Sequence, residues 1–558
     1  MFPWYDSWPK KVKKTIEYPS ITLHKHFEKI VEKNVDHPFL SILGLNYSYR
    51  EVDDSANKFA KALIGLGVKK GDRIGLFCPN IPQWAIAFFG ILKAGAVVVP
   101  ISPLLGSEDL RYTIQDSEAT LMVALDLLYP SLEEACLNCP AVKNIIITSL
   151  GDLLSPVKRF LARLFRKLPP SPPLPENAIN LHQLINQHTP LQISIECDPD
   201  DLAVLAYTGG TTGTPKGAML SHRNIVSNMM QAREWAIAAH PEETHKNFMG
   251  AVPFFHLIGL TTVFLATAQF DSTVYLIPNP REFESILKTI HNKGINYFHG
   301  VPTLFKALMK HKNFAKYDMS SLEIIFSGGA PLPAELAEEI EENFPSAIVV
   351  EAYGMTELSP MVSANPLERD NRKFGSIGIP IIDTEMKIVD INTGKDLPQG
   401  ETGEICVRGP QVMKGYWNKP EATKLTIDEN GFLHTGDVGF MDESGFFFIR
   451  SRTKDMIIVS AFKVFPPELE SLIEKLFPQI EEVAIIGVPD EYQGESVKLI
   501  AVLKEGEMLN ESEIKTILQN KVAKYKIPKY IEFRSTPLPK TGIGKIDRKV
   551  LRTEENQN

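Results

Sequence analysis

Eleven residues constrain this chain more than any others: Tyr207-Thr-Gly-Gly-Thr-Thr-Gly-Thr-Pro-Lys-Gly217. Four glycines, four threonines, one proline and one lysine do not make a packed core. Glycine permits tight turns and close backbone approach to a ligand. Threonine hydroxyls add donors, and Lys216 adds a point positive charge. The set suits a polyphosphate. The apolar run Leu202-Ala-Val-Leu-Ala206 reads as a buried strand, and Ser221-His-Arg-Asn224 reads as a helix start with Ser221 or Asn224 near the cap. The expectation is strand, glycine-rich loop, helix; the competing reading is an ordinary surface loop.

The flanking sequence alternates helical and strand-like segments. Ala56, Phe59, Ala60 and Leu63 have helical spacing within 53–66, and 82–92 reads as a second helix. Arg73-Ile-Gly-Leu-Phe-Cys78 and Ala96-Val-Val-Val-Pro100 read as short buried strands. The predicted fold class is α/β: a large N-terminal domain of layered α/β sheets over 1–450, with a β-subdomain signalled at 384–408. Charges cluster at 450–455, and 451–455 is the expected hinge. The pattern then restarts, with helices at 467–476 and 511–521 and strands at 483–488 and 497–503. Residues 456–558 are thus expected to form a small α+β C-terminal domain.

Residues 151–168 depart from that pattern. Val157, Phe160, Leu161, Leu164 and Phe165 recur at helical spacing between Lys158, Arg159, Arg163, Arg166 and Lys167, and a proline-rich spacer follows to 175. A basic amphipathic helix in a chain of net charge −9 suits an anionic membrane surface; the alternative is a solvated helix packed on its own domain. That acidic balance argues against nucleic acid as a partner. Five cysteines in 558 residues make no disulfide framework, and Cys136 and Cys139 read as ordinary thiols rather than a zinc or redox pair. No run reaches the roughly 18 apolar residues of a membrane span. The expected location is cytoplasmic, peripheral on the inner face of a membrane if the helix binds lipid. Oligomeric state leaves no mark.

The loop is not a Walker motif, because Pro215 precedes Lys216 and Gly217 follows it. T-G-G-T-T-G-T-P-K-G resembles the phosphate loop of the adenylate-forming superfamily, which includes acyl-CoA synthetases, luciferases and nonribosomal adenylation domains. Tyr353-Gly-Met-Thr-Glu357, Thr435-Gly-Asp437, Arg452-Thr-Lys454 and Pro539-Lys-Thr-Gly-Ile-Gly-Lys545 match further motifs of that superfamily in order, as do Ser327-Gly-Gly-Ala-Pro331 and Gly415-Tyr-Trp417. Pro3-Trp4, Pro253-Phe-Phe-His256 and Phe432-Leu-His-Thr-Gly-Asp437 are most similar to bacterial long-chain fatty-acid–CoA ligases.

The resemblance implies ATP- and Mg²⁺-dependent activation of a fatty acid to acyl-AMP, then transfer to coenzyme A, with a C-terminal lid that reorients between the steps. Tyr207, Thr208, Gly209, Gly210, Thr211, Thr212, Gly213, Thr214, Pro215, Lys216 and Gly217 would hold the β- and γ-phosphates. Gly328, Gly329, Ala330, Tyr353 and Gly354 would meet the adenine side of the nucleotide, and Asp437 and Arg452 the ribose. The implied catalytic set is Lys545, bridging the carboxylate and α-phosphate, Thr356 on a phosphate oxygen, Glu357 as metal ligand, and His256 beside the acyl site. Lys454 matches the hinge. A carboxylate attacking a phosphate sets anion against anion, so lysines and a metal ion are the natural devices.

Two positions depart from the pattern. Ser451 stands where relatives carry Asp or Gly, and Ala461 where they carry a glycine that approaches the pantetheine channel. The rivals are an acyl-AMP ligase loading a carrier protein, a phosphoryl-transfer ATPase, a different carboxylic acid substrate, and a non-catalytic acyl- or membrane-binding protein.

Overall fold

The computed structural model describes residues 2–153, 170–174, 178–189, 195–208, 214–237, 245–460, 462–490, 492–519, 521–540 and 546–557. Two mainly parallel sheets dominate. The first orders Ile179–Asn180, Asn144–Thr148, Leu121–Leu125, Arg73–Phe77, Val97–Pro100, Leu202–Thr208 and Lys216–Ser221. The second orders Ile379–Pro380, Met361–Ala364, Ile348–Gly354, Ile324–Ser327, Tyr297–Gly300, Asn247–Gly250, Thr273–Leu276, Pro38–Ile42 and Leu45–Ser48. Antiparallel pairs occur only toward the sheet edges.

The strand period of two explains the layering. Leu76, Val98 and Val204 of the first sheet and Phe248, Tyr297, Ile324 and Val350 of the second share one central core. Their neighbours alternate outward: Phe77, Val97 and Leu205 to one outer core, Met249, Phe298, Ile325 and Val349 to another. Apolar side chains on both faces are the signature of buried parallel strands. The helix Pro82–Lys93 is buried on every side within the central core, as its all-round apolar sequence requires. Its one charge, Lys93, pairs with Asp53 at 2.9 Å and with Glu28. The helix predicted at 53–66 begins earlier, at Tyr49, because Ser48 and Glu51 form a capping box.

The central loop corrects the expected strand–loop–helix order. Leu202–Thr208 and Lys216–Ser221 are antiparallel partners, with Tyr207 opposite Gly217, and the helix His222–Ile237 follows only after the second strand. Strand periodicity was present there: Ala218 and Leu220 enter the central core, while Met219 packs on the outer one. Ser221 and Asn224 do cap the helix, the Asn224 N–H donating to Ser221 Oγ (3.2 Å) and the Ser221 N–H to Asn224 Oδ1 (2.9 Å).

Glu385–Val389, Gly403–Arg408, Leu433–Met441 and Phe447–Arg452 form an antiparallel sheet that extends well past the 384–408 signal. Beyond it, Phe462–Val464, Ile457–Val459, Gly494–Leu503, Ile480–Asp490 and Tyr530–Arg534 make a five-stranded sheet. Pro466–Leu476, Glu511–Gln519 and Arg548–Gln557 are helices beside it, and the unit has its own apolar clusters. The basic stretch 154–168 and the predicted site residues Gly209, Gly210, Thr211, Thr212, Gly213 and Lys545, with Ala461, lie outside the described residues.

Candidate active site

Tyr297–Gly300, Ile324–Ser327 and Ile348–Gly354 are neighbouring parallel strands, and a pocket opens at their carboxyl ends, where α/β sheets bind ligands. It encloses about 670 Å³ of space, counting its open mouth. Gly328, Gly329, Tyr353 and Gly354 line one part. Ala232, Phe248, Ile258, Ala266, Phe270 and Tyr297 make the rest strongly apolar. Gly354 admits no side chain, because a Cβ there would lie 1.9 Å from the carbonyl oxygen of Pro360.

A π-helical turn, Ile258–Leu265, forms one wall and places Ile258 and Thr262 on the pocket. Thr262 Oγ1 lies 3.1 Å from Nδ1 of His299, a pocket residue that sequence reasoning missed because it sits inside a strand that reads as core. Burial brings His299 down to about 3 and His256, just before the π-turn, down to about 4. Both rings are neutral at neutral pH.

Two polar groups flank the pocket. In the first, Tyr353 donates its hydroxyl to Asp437 Oδ2 (2.6 Å), and Arg452 Nε donates to Asp437 Oδ1 (3.1 Å). Burial and the neighbouring Asp437 charge raise the Tyr353 hydroxyl well above its ordinary value, so it remains a donor. Asp437 and Arg452 face each other across paired strands. In the second group, Tyr416 donates to Glu357 Oε1 at 2.7 Å, and Lys216 Nζ sits 4.9 Å from the centre of the Tyr416 ring. Burial raises the Glu357 carboxyl, while the Tyr416 hydrogen bond and the charges of Arg452 and Lys216 draw it back. Thr356 and Glu357 sit on a 3₁₀ turn directly after the Tyr353–Gly354 strand end.

Tyr416 is the second functional candidate missing from the predicted set. Its segment lies along the outer edge of the hairpin: the Trp417 N–H donates to Gly217 O (2.8 Å) and the Met219 N–H to Gly415 O (2.9 Å). The signal was the Gly415-Tyr-Trp417 match, which carried no role for the tyrosine. Tyr207 turns away from this group and donates its hydroxyl to Asp116 at 2.7 Å. Thr208 Oγ1 donates to the carbonyl of Lys216, and Pro215 O accepts from Tyr112, so the base of the loop is pinned from both sides. Ala330 follows Gly329 without lining the pocket. Burial and the Arg452 charge lower the Lys454 ammonium, and the next residue, Asp455, pairs with Arg552 at 2.8 Å.

A pocket at the carboxyl ends of parallel strands, with the Tyr353–Asp437–Arg452 and Tyr416–Glu357 groups beside it, is the arrangement in which α/β enzymes bind ligands. The chain belongs to the AMP-binding enzyme family, whose sequence pattern matches residues 27–417; that of the AMP-binding enzyme C-terminal domain matches 468–545. It is 37% identical over 562 residues to a long-chain-fatty-acid–CoA ligase of Bacillus subtilis, covering 100% of this chain and 98% of that one. It is 33% identical to 4-coumarate–CoA ligase 1 of Solanum tuberosum, covering 96% and 95%. The crystal structure of ATP-bound MatB from Rhodopseudomonas palustris superimposes with a TM-score of 0.83 at 28% identity, covering 96% and 99%. No helix among the described residues is long and apolar enough to cross a membrane.

Proposed function

We propose that the protein is an AMP-forming ligase that activates long-chain fatty acids with ATP and transfers them to coenzyme A. The observation that carries this reading is the apolar pocket running from the Gly328–Gly329 and Tyr353–Gly354 backbone into a wall of phenylalanine and alanine. A nucleotide at the polar mouth and an alkyl chain in the interior would place a carboxylate beside an α-phosphate. Bacterial long-chain ligases among the relatives, at 36–39% identity, support the chain length.

In the first step a carboxylate oxygen bonds to the α-phosphorus, and the bond to the bridging oxygen breaks, releasing pyrophosphate. Lys216 and the loop hold the β- and γ-phosphates, Asp437 accepts from the ribose hydroxyls, and Lys545 enters from the C-terminal domain to bridge the anions. The buried Glu357, one carboxylate facing a phosphate site, fits the sparse protein ligation that Mg²⁺ accepts when phosphates complete its shell. Bound there, Mg²⁺ would neutralise phosphate charge. Thr356 supplies a hydroxyl to a phosphate oxygen, and neutral His256 borders the acyl carbon without adding charge. In the second step the coenzyme A sulfur attacks the acyl carbon and AMP leaves. The C-terminal domain, 456–558, turns about 451–455 at Lys454 to withdraw Lys545 and open the thiol path.

AMP release across a panel of carboxylic acids, with and without coenzyme A, tests the reading. CoA-dependent AMP release that is greatest with long-chain acids is expected. No AMP with any acid overturns it; ADP release would mark a phosphoryl transferase, and ATP–pyrophosphate exchange without CoA-dependent turnover a carrier-protein loader. The basic segment 151–168 is the proposed contact with an anionic membrane surface. Deleting it should lower binding to vesicles rich in anionic lipid by about tenfold in co-sedimentation; undiminished binding refutes that role.

A further inference from the structure

Glu404 and His434 belong to no motif that implied a role beyond the Thr435-Gly-Asp437 match, yet the structure joins them at the back of that turn. Glu404 Oε1 accepts the Gly436 N–H at 2.9 Å, and Glu404 Oε2 lies 2.9 Å from His434 Nδ1. Cys406 Sγ, buried two residues along the same strand, lies 3.4 Å from the same ring nitrogen. Thr435 Oγ1 donates to Ile405 O (2.8 Å) and accepts the Asp437 N–H (3.0 Å). Gly436 has φ +70°, a backbone state that an ordinary residue seldom holds unaided. The strand pairing is irregular on both sides of the turn, between Glu404 and Cys406 and between Val438 and Gly439, so ladder bonds alone do not set its geometry. On its far side Gly436 O accepts the Thr453 N–H (2.8 Å), which leads into the proposed hinge.

We propose that Glu404, oriented by His434, is a positioning residue that holds the Gly436 peptide so that Asp437 faces the ribose. This rests on the reading of Asp437 as the ribose carboxylate. The Glu404, Cys406 and His434 ligand atoms lie within 4.8 Å of one another, a spacing that a transition-metal ion could span. Both Glu404 oxygens and His434 Nδ1 are already engaged with each other or with a peptide N–H, however, so the group is satisfied without an ion.

The test compares ATP with 2′,3′-dideoxy-ATP in full-length wild type, Glu404→Ala, Glu404→Gln and Asp437→Ala. Glu404→Ala should raise KM for ATP about tenfold, leave KM for the fatty acid unchanged, and erase most of the preference for ATP over the dideoxy analogue. Glu404→Gln keeps an oxygen acceptor for Gly436 and should shift KM for ATP less than about threefold. A loss that only lowered the folded fraction would reduce kcat and leave the preference intact. If Asp437→Ala loses the preference and both Glu404 variants keep it, the positioning role is wrong. If Asp437→Ala also keeps it, the ribose reading fails instead. One equivalent of zinc in the purified wild type, lost in Glu404→Ala, would replace the hydrogen-bonded network with a metal centre.

Discussion

The layered N-terminal part and the C-terminal part differ in one class of buried polar group: both use ion pairs, but only the N-terminal part buries histidines. The N-terminal layers bury neutral histidines: burial, with the neighbouring His222 ring, takes His24 to about 3, and burial takes His222 to about 4 and His299 to about 3. The C-terminal part, from 456 onward, contains no histidine and relies on ion pairs such as Lys529–Asp490 (2.6 Å), Lys498–Glu532 (2.8 Å) and Arg534–Glu554 (2.8 Å). Among the described residues, a few side-chain contacts join the two. Lys475–Glu335 spans 3.7 Å between side chains 75% and 73% exposed, a class of pair worth roughly 0–1 kcal/mol. Arg450–Glu468 spans 3.6 Å, and one small apolar cluster of Val438, Met456 and Phe465 crosses at the hinge. Each part keeps its own apolar core, and a junction with few contacts among the described residues is compatible with the proposed reorientation of the C-terminal part.

The largest expected effect asks whether the two parts share one reaction step. Lys216→Ala in the hairpin loop and Lys545→Ala in the C-terminal domain should each slow ATP–pyrophosphate exchange by about 10²–10³-fold. Both should leave thioester formation from supplied acyl-adenylate nearly unchanged. Full exchange activity in Lys545→Ala would separate the lid from the first step.

Acidification should divide the parts by stability. A histidine whose folded pKa is depressed binds fewer protons folded than unfolded, so its stability is complete above about 6.5 and is lost as pH falls toward 4. His24, His222 and His299 should each cost roughly 1–2 kcal/mol at pH 5. All five tryptophans lie before residue 418, so their fluorescence reports the N-terminal layers. Its denaturation midpoint should fall between pH 7 and pH 5. In the C-terminal part, hydrogen bonds and the Lys529 charge hold Asp490 well below the usual carboxylate range, so its contribution is lost only below about pH 4. Hydrogen-exchange protection factors in Ile480–Asp490, corrected for the pH dependence of intrinsic exchange, should therefore stay constant over the same interval; parallel loss in both probes would mean one cooperative unit.

The smallest effect belongs to the lid face. Ala461→Gly should raise thioester formation about two- to fivefold, the gain from relieving backbone restriction, without changing pyrophosphate release. Equal thioester rates in the two proteins would remove Ala461 from the coenzyme A path.

Local spacing alone determined a great deal here. Apolar runs of four to seven residues specified the buried parallel strands, capping residues set helix starts, and the loop with its companion motifs specified the family, because each depends on neighbours a few residues apart. Composition outweighs spacing in one place: the glycine-rich loop merges directly into Lys216–Ser221, whose alternation builds a second strand. Only the tertiary structure joined Tyr416 to Glu357 across 59 residues and Tyr353 to Asp437 across 84, put His299 in the pocket wall, and set Glu404 behind Gly436. Strand order and crossover connections decide those meetings, and a linear pattern of apolar and polar residues carries no measure of which strand ends lie side by side.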